Sequence, residues 1–261
     1  MEETGEAGGA GLVTAGLVVI GDEVLSGRTK DQNIGHIAEK LTEAGVQLRE
    51  VRIVADQQDA IVEAVNTLRS RYDHVFTTGG IGPTHDDITA DAIASAFDLP
   101  IEQNQQAVEI MHQYFREDQL TPARMRMTRM PVGAELIDNP VSATPGFSIG
   151  NVYVMAGVPK IMQSMLEGVL PRLRTGIRIL SRTVRVFSKE GDVANLLADL
   201  QVRFPHVAIG SYPFYVDTVF GTHVVMRATS PESLEQTEQA LWEGLAARNI
   251  KADRPEQGET A

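Results

Sequence analysis

The 261-residue sequence contains no cysteine, which excludes disulfides, thiolate nucleophiles and cysteine-ligated metal sites. That suits a reducing compartment. Basic residues are in the minority, 23 Lys and Arg against 35 Asp and Glu, for a net charge of −12. Broad binding to nucleic acid or to an anionic membrane is therefore not expected, since both need a basic surface. No apolar run approaches the length of a membrane span, and the N-terminus is acidic where a signal peptide would be basic. The expected location is the cytoplasm. Two phosphate-binding signatures are also missing. No G-x-G-x-x-G turn follows the first apolar run, which counts against a Rossmann dinucleotide site. Gly21 to Thr29 resembles a P-loop only loosely, because its spacing is one residue too long and Arg28 stands where lysine is required. The six histidines are scattered, none paired at a spacing suited to zinc.

What is present reads as a globular protein: 43% of residues are hydrophobic and 22% charged. From residue 12 to residue 97, apolar runs alternate with helical periodicity. Strands are predicted over 12–20, 46–54 and 73–77. The helices between them carry Ile34, Ile37, Ala38 and Leu41, then Ile61, Val65 and Leu68, with Asp31 as a cap for the first. Such alternation predicts an α/β fold with a parallel, doubly wound sheet, whose ligands bind beyond the carboxyl ends of the strands. A helix is predicted over 101–118, a turn-rich loop over 139–147 and a strand over 152–156. Gly157-Val158-Pro159 then opens a helix with proline in its first turn. The pattern changes near Thr175-Gly176, and a β-α-β-β-α unit follows. The expected organisation is a disordered tail over 1–11, a main domain over 12–175, a small α+β domain over 176–250 and a loose tail over 251–261.

The most informative stretch runs from Val75 to Asp91. An apolar run enters Gly79-Gly80-Ile81-Gly82, and a helix pattern starts at Thr89. Glycines allow positive φ and close approach of N–H groups to a ligand, and a helix start adds a positive dipole end. Asp86 and Asp87 crowd the same place, a conflict that a cation or a proton-transfer role reconciles. An unliganded βα connection can carry the same residue types, as caps and turns. Asp56 can likewise be read as a helix cap and Glu23 as a solvent-facing acid, while His85 binds phosphate, shuttles a proton or stands idle. The segment Arg124 to Met130 reads first as a helix with methionines in the core and arginines in water; the alternative sends one arginine to an anionic ligand.

At these residues the chain resembles the molybdopterin-binding (MoaB/Mog) domain family. The likeness is strongest to its CinA-like branch: the N-terminal part of competence/damage-inducible protein A and the similar domain of eukaryotic FAD synthase. It is carried by Gly21 through Gly27 with Asn33, Thr78 through Thr89, Asn139 through Phe147, and Gly157-Val158-Pro159. The second unit looks like the small KH-type domain that follows in CinA-like proteins. It lacks the G-x-x-G loop of an RNA-binding version, so no nucleic acid is assigned to it.

The resemblance implies a three-layer, mostly parallel sheet and a small-molecule partner, a phosphorylated pterin or nucleotide. It assigns the phosphate to Thr78, Gly79, Gly80, Gly82, Pro83, Thr84, Gly157 and Pro159. Asp56 and Asp87 become the catalytic candidates. Asp86, Asp87 and Glu23 become ligands for a divalent cation (Mg, Mn or Co), and molybdopterin a candidate ligand. Ile81 stands where molybdopterin adenylyltransferases carry threonine, and His85-Asp86 where they tend to have basic residues. These departures favour metal-dependent hydrolysis of a nucleotide pyrophosphate, of ADP-ribose or FAD type. The alternatives are a non-catalytic molybdopterin-binding protein and an adenylyl-transfer relative from molybdenum-cofactor biosynthesis. Oligomeric state stays open, homo-oligomers being common for such domains.

Overall fold

The computed structural model describes residues 11–216 and 219–255. The first ten residues, expected to be disordered, and residues 256–261 lie outside the described residues. The chain divides into two compact units, the first ending at Ile177 and the second beginning at Arg178.

The first unit opens with β1 (Val13–Ile20), α1 (Asp22–Leu25), α2 (Asn33–Glu43), β2 (Val46–Val54), α3 (Gln58–Arg71), β3 (His74–Thr78) and α4 (Thr89–Ala96). It continues with β4 (Ile101–Gln103), α5 (Gln105–Tyr114), α6 (Pro122–Arg126), β5 (Arg129–Pro131), β6 (Glu135–Ile137), β7 (Gly146–Ile149), β8 (Val152–Met155) and α7 (Pro159–Val169). Its main sheet has the order β2-β1-β3-β8-β7-β6. The first four strands run parallel, and β7 and β6 are joined antiparallel.

The period-2 alternation of β1 explains the three layers. Val13, Ala15, Leu17 and Val19 face a core shared with Ile37 and Leu41 of α2 and Met162, Met165 and Leu166 of α7. Val18 and Ile20 face the opposite core, with Ile61, Val65 and Leu68 of α3 and Ala92 and Ile93 of α4. Helices therefore cover both faces, as parallel strands require. The chain leaves β1 for β2 on one side and returns through α3 to β3 on the other. That reversal puts a topological switch point between the carboxyl ends of β1 and β3, where open α/β sheets form their ligand crevice.

Local signals act largely as expected. The Asp31 carboxylate accepts from the N–H groups of Asn33 and Ile34 at 3.0 and 2.8 Å and starts α2. Pro159 occupies the first turn of α7. Two expectations fail. Residues 101–118 are not one helix: Ile101–Gln103 pair with β5, and Asn104 then caps α5 through the Ala107 N–H at 3.1 Å. The Arg–Met segment is not one helix either. Its first half is α6 and its second half β5, with Met130 buried and Met125 and Met127 only partly so. Strand pairing between residues far apart in sequence overrides the local helical pattern in both places.

The second unit contains β9 (Leu180–Val186), α8 (Glu190–Arg203), β10 (Ala208–Val216), β11 (Val219–Ala228), α9 (Pro231–Ala247) and β12 (Ala252–Asp253). Its antiparallel sheet has the order β10-β11-β9-β12, with Val193, Leu196, Leu200, Leu234 and Leu241 among the core residues. It is a small α+β domain. Residues 251–261 were expected to be loose, yet Ala252 and Asp253 pair with Val186 and Arg185 of β9. The Arg185 guanidinium donates to the Asp253 carboxylate at 2.8 and 3.0 Å, which fixes that strand where composition alone showed only polarity.

Candidate functional site

The parallel ladders bring four exits to one edge: Val19 pairs with Thr78, Ile20 with Val54, and Thr78 with Met155. The loops that follow therefore share that edge. Their backbones touch there: a Cβ on Gly79 would lie 2.1 Å from the Ile20 carbonyl oxygen, and one on Gly157 would lie 3.2 Å from the Gly79 Cα. Gly79 and Gly80 have φ of 103° and 67°, which favours glycine at both places.

The turn after β3 divides into used and unused donors. The Gly79 N–H donates to the Met155 carbonyl at 3.2 Å, and Thr78 is buried within the strand, its hydroxyl lacking a partner. The Gly79 N–H is thus already used, while the Thr78 hydroxyl is unpaired but buried. Thr89, the first residue of α4, folds back on the turn: its N–H reaches the Gly80 carbonyl and its hydroxyl the Gly79 carbonyl, each at 3.0 Å. Among the described residues, the N–H groups of Gly80, Ile81 and Gly82 have no partner, and all three residues are partly exposed. Three successive unpaired amides are the donors such a turn offers to phosphate oxygens.

Asp87 and Asp86 precede α4 but do not cap it, the N-terminal position being Ile88 without a side-chain bond. The Asp87 carboxylate instead accepts from the Thr84 N–H at 2.8 Å and from the Thr84 hydroxyl in a short contact. It also lies against Gly82, where a Cβ would come within 2.6 Å of it. The Asp86 carboxyl is held below its ordinary range by the nearby Thr84 hydroxyl, then by a backbone N–H and, less, by His85, although that hydroxyl's one proton goes to Asp87. The His85 side chain is 97% exposed and lies 3.9 Å from Asp86. Pro83 and Thr84 are exposed as well.

Asp56 is not a cap for α3, which starts without a side-chain bond. Its carboxylate reaches across the edge to accept from the Asp22 N–H at 2.9 Å. Burial pushes the Asp56 carboxyl above its usual range; the Asp22 N–H works against this, and the carboxylates of Asp22, Glu23 and Asp86 add to the rise. The predicted acids thus fall into two neighbouring groups. Asp56 and Glu23 sit around α1, and Asp87 sits by the glycine turn. Among the described residues, no three carboxylate or imidazole side chains form a ready metal cage.

Beside the turn is a small cleft lined by Gly80, Ile81, Gly82, Asp87, Asp91 and Arg126, among others. Arg129 also lines it and pairs with Asp91 at 2.6 Å. Sequence reasoning missed Asp22, Asp91 and Arg129. Asp22 acts through its backbone, and the Asp91–Arg129 pair spans 38 residues with no local signal. At the other exit, Gly157 is exposed, its carbonyl accepts from the Asn33 amide at 2.8 Å, and Pro159 follows partly exposed.

Residues 16–175 match the family model described as "Probable molybdopterin binding domain", and residues 178–254 match "FAD synthase, middle domain". The chain belongs to the CinA-like branch of the molybdopterin-binding domain family. It is 35% identical over 251 residues to a CinA-like protein of Citrifermentans bemidjiense, covering 91% of this chain and 59% of that one. A probable FAD synthase of Caenorhabditis briggsae is 30% identical over 268 residues, covering 92% of this chain and 51% of that one. The chain thus spans little more than half the length of these two relatives. The crystal structure of the protein CinA from Thermoplasma acidophilum aligns with a TM-score of 0.58 at 31% identity, covering 61% of this chain and 96% of that one.

Proposed function

We propose that this chain hydrolyses a nucleotide pyrophosphate of the ADP-ribose or FAD type, with a divalent cation (Mg, Mn or Co). The observation that carries the reading is the run of three unpaired N–H groups at Gly80, Ile81 and Gly82, on the same sheet edge as a carboxyl, Asp56, pushed up by burial and by three acidic neighbours. The amides bind oxygens of the diphosphate and meet the charge that grows on them as phosphorus is attacked. A carboxylate with a raised pKa is the better base at neutral pH. Asp56 takes a proton from water, the water oxygen bonds to one phosphorus, and the bridging P–O bond breaks. Its electron pair leaves on the other phosphate. Asp87, fixed by Thr84, would hold the cation that neutralises the diphosphate beside the turn.

The candidate ligands Asp86, Asp87 and Glu23 offer carboxylate oxygens, the donor type that suits a hard cation. Magnesium ordinarily takes one or two carboxylates together with substrate phosphates, so a ready protein cage is not required. Bound among Asp86, Asp87 or Glu23 and the phosphates, it would neutralise charge on the transferred group.

The test is AMP release from FAD and ADP-ribose by the purified protein with Mg²⁺, Mn²⁺ or Co²⁺, and its loss in Asp56→Asn and Asp87→Asn. Silence with every substrate and metal overturns the reading. Tight, metal-indifferent binding of a phosphorylated pterin without turnover would make the protein a binding module.

A further inference from the structure

Three arginines lie close together on α6 and β5, and two of them are engaged. Arg124 donates to the Gln119 carbonyl at 2.7 Å and lies over the Phe115 ring. Arg129 is paired with Asp91. Arg126 has no hydrogen bond, ion pair or ring contact among the described residues, although it is partly buried. In a chain of net charge −12, an unpaired, partly buried guanidinium beside carboxylates calls for an explanation.

Its position supplies one. Arg126 lines the same cleft as Gly80, Ile81 and Gly82, whose N–H groups are also unpaired. Asp91 and Asp87 line it too, but Asp91 is neutralised by Arg129 and Asp87 already accepts two bonds from Thr84. The donors left over are three amides and one guanidinium. The cleft is small and open on one side, and the groups left unpaired in it are all donors, so it suits an oxygen-bearing anionic end of a ligand.

We propose that Arg126 reads the second acidic group of the ligand, so that the cleft selects a diphosphate over a monophosphate. This rests on the diphosphate reading above, but not on hydrolysis. The amides of the turn hold the first phosphoryl group. Arg126 donates to an oxygen of the second, in the fork geometry that suits phosphate. The Asp91–Arg129 pair joins β5 to α4 beside the cleft.

The test uses calorimetry on the full chain with Mg²⁺, with inorganic phosphate and inorganic pyrophosphate as probes. Wild-type protein should prefer pyrophosphate. Arg126→Ala should weaken pyrophosphate by about tenfold or more and leave phosphate unchanged. Arg126→Lys should retain part of the preference, and Arg116→Ala, at an exposed ion pair with Asp118, should retain all of it. Unchanged pyrophosphate affinity in Arg126→Ala, equal weakening of both probes, or no binding of either probe by the wild type overturns the proposal. A preference that depends on Arg126, in a protein that releases no AMP from any dinucleotide, supports it and sinks the hydrolysis reading alone.

Discussion

The N–H of Asp22 donates to the carboxylate of Asp56 at 2.9 Å, joining the exits of β1 and β2 across 34 residues of sequence. One bond thereby fixes an acid in a place where burial and three like charges oppose its ionisation. Asp56→Asn keeps an oxygen for that N–H and removes the charge. A carboxyl whose folded pKa lies above its unfolded value stabilises the fold below the unfolded value and ceases to do so as pH rises through the folded one. The variant should melt about 1–2 °C higher than wild type at pH 7, a small gain because the group is partly solvated. At a pH below the ordinary carboxylate range the difference should vanish. Melting curves at both pH values check this, and a lower melting temperature at pH 7 would refute it.

Two glycines of the turn should behave differently. Gly79 has φ of 103° and its added Cβ would strike the Ile20 carbonyl, which is backbone and cannot swing away. Gly79→Ala should cost about 3 kcal/mol or more, seen in urea unfolding. The Cβ of Gly82→Ala would meet only the Asp87 carboxylate, the end of a flexible side chain. That variant should unfold within about 1 kcal/mol of wild type yet lose AMP release, because Asp87 is displaced.

Thr84 holds the acids of the turn. Thr84→Val removes the hydroxyl that donates its one proton to Asp87 and that, by its nearness, favours the charged form of Asp86. The Asp86 titration, followed by NMR, should move up toward the ordinary carboxylate value. AMP release should fall by about tenfold, the worth of one charge-assisted bond. An unmoved Asp86 titration would mean that the hydroxyl does not govern it.

In the second unit, the buried Glu238 accepts from Arg182 at 2.5 Å, Arg254 at 2.9 Å and Trp242 at 3.3 Å. Burial pushes its carboxyl up, and the three donors overcome that and hold it below the ordinary range. A lowered folded pKa contributes stability above the unfolded value, lost as pH falls through the folded one. Glu238→Gln should therefore cost about 2–3 kcal/mol at pH 7, leaving two guanidinium groups poorly matched, and less in acid. Unfolding of the chain at pH 7 and pH 3 measures both.

Much of this was legible in the sequence because it depends on near neighbours. Asp31 starts α2 and Pro159 starts α7. The alternation of strand and helix patterns from residue 12 to residue 97 was enough to imply helices on both faces of a parallel sheet. The glycines of the turn also announced themselves, since few residue types tolerate their φ values.

What the sequence could not determine was which acid meets which donor. Asp56 read equally well as a cap for α3, until the sheet order put β1 beside β2 and offered it the Asp22 N–H instead. The pattern of Arg124 to Met130 is helical, but pairing with Ile101–Gln103 turned its second half into a strand and brought Arg129 to Asp91, while Arg126, at the end of α6, lines the cleft with the glycines. Periodicity and capping are set over a few residues and are written in the chain itself. Hydrogen bonds and ion pairs across tens of residues are chosen by strand order, and only the assembled sheet decides them.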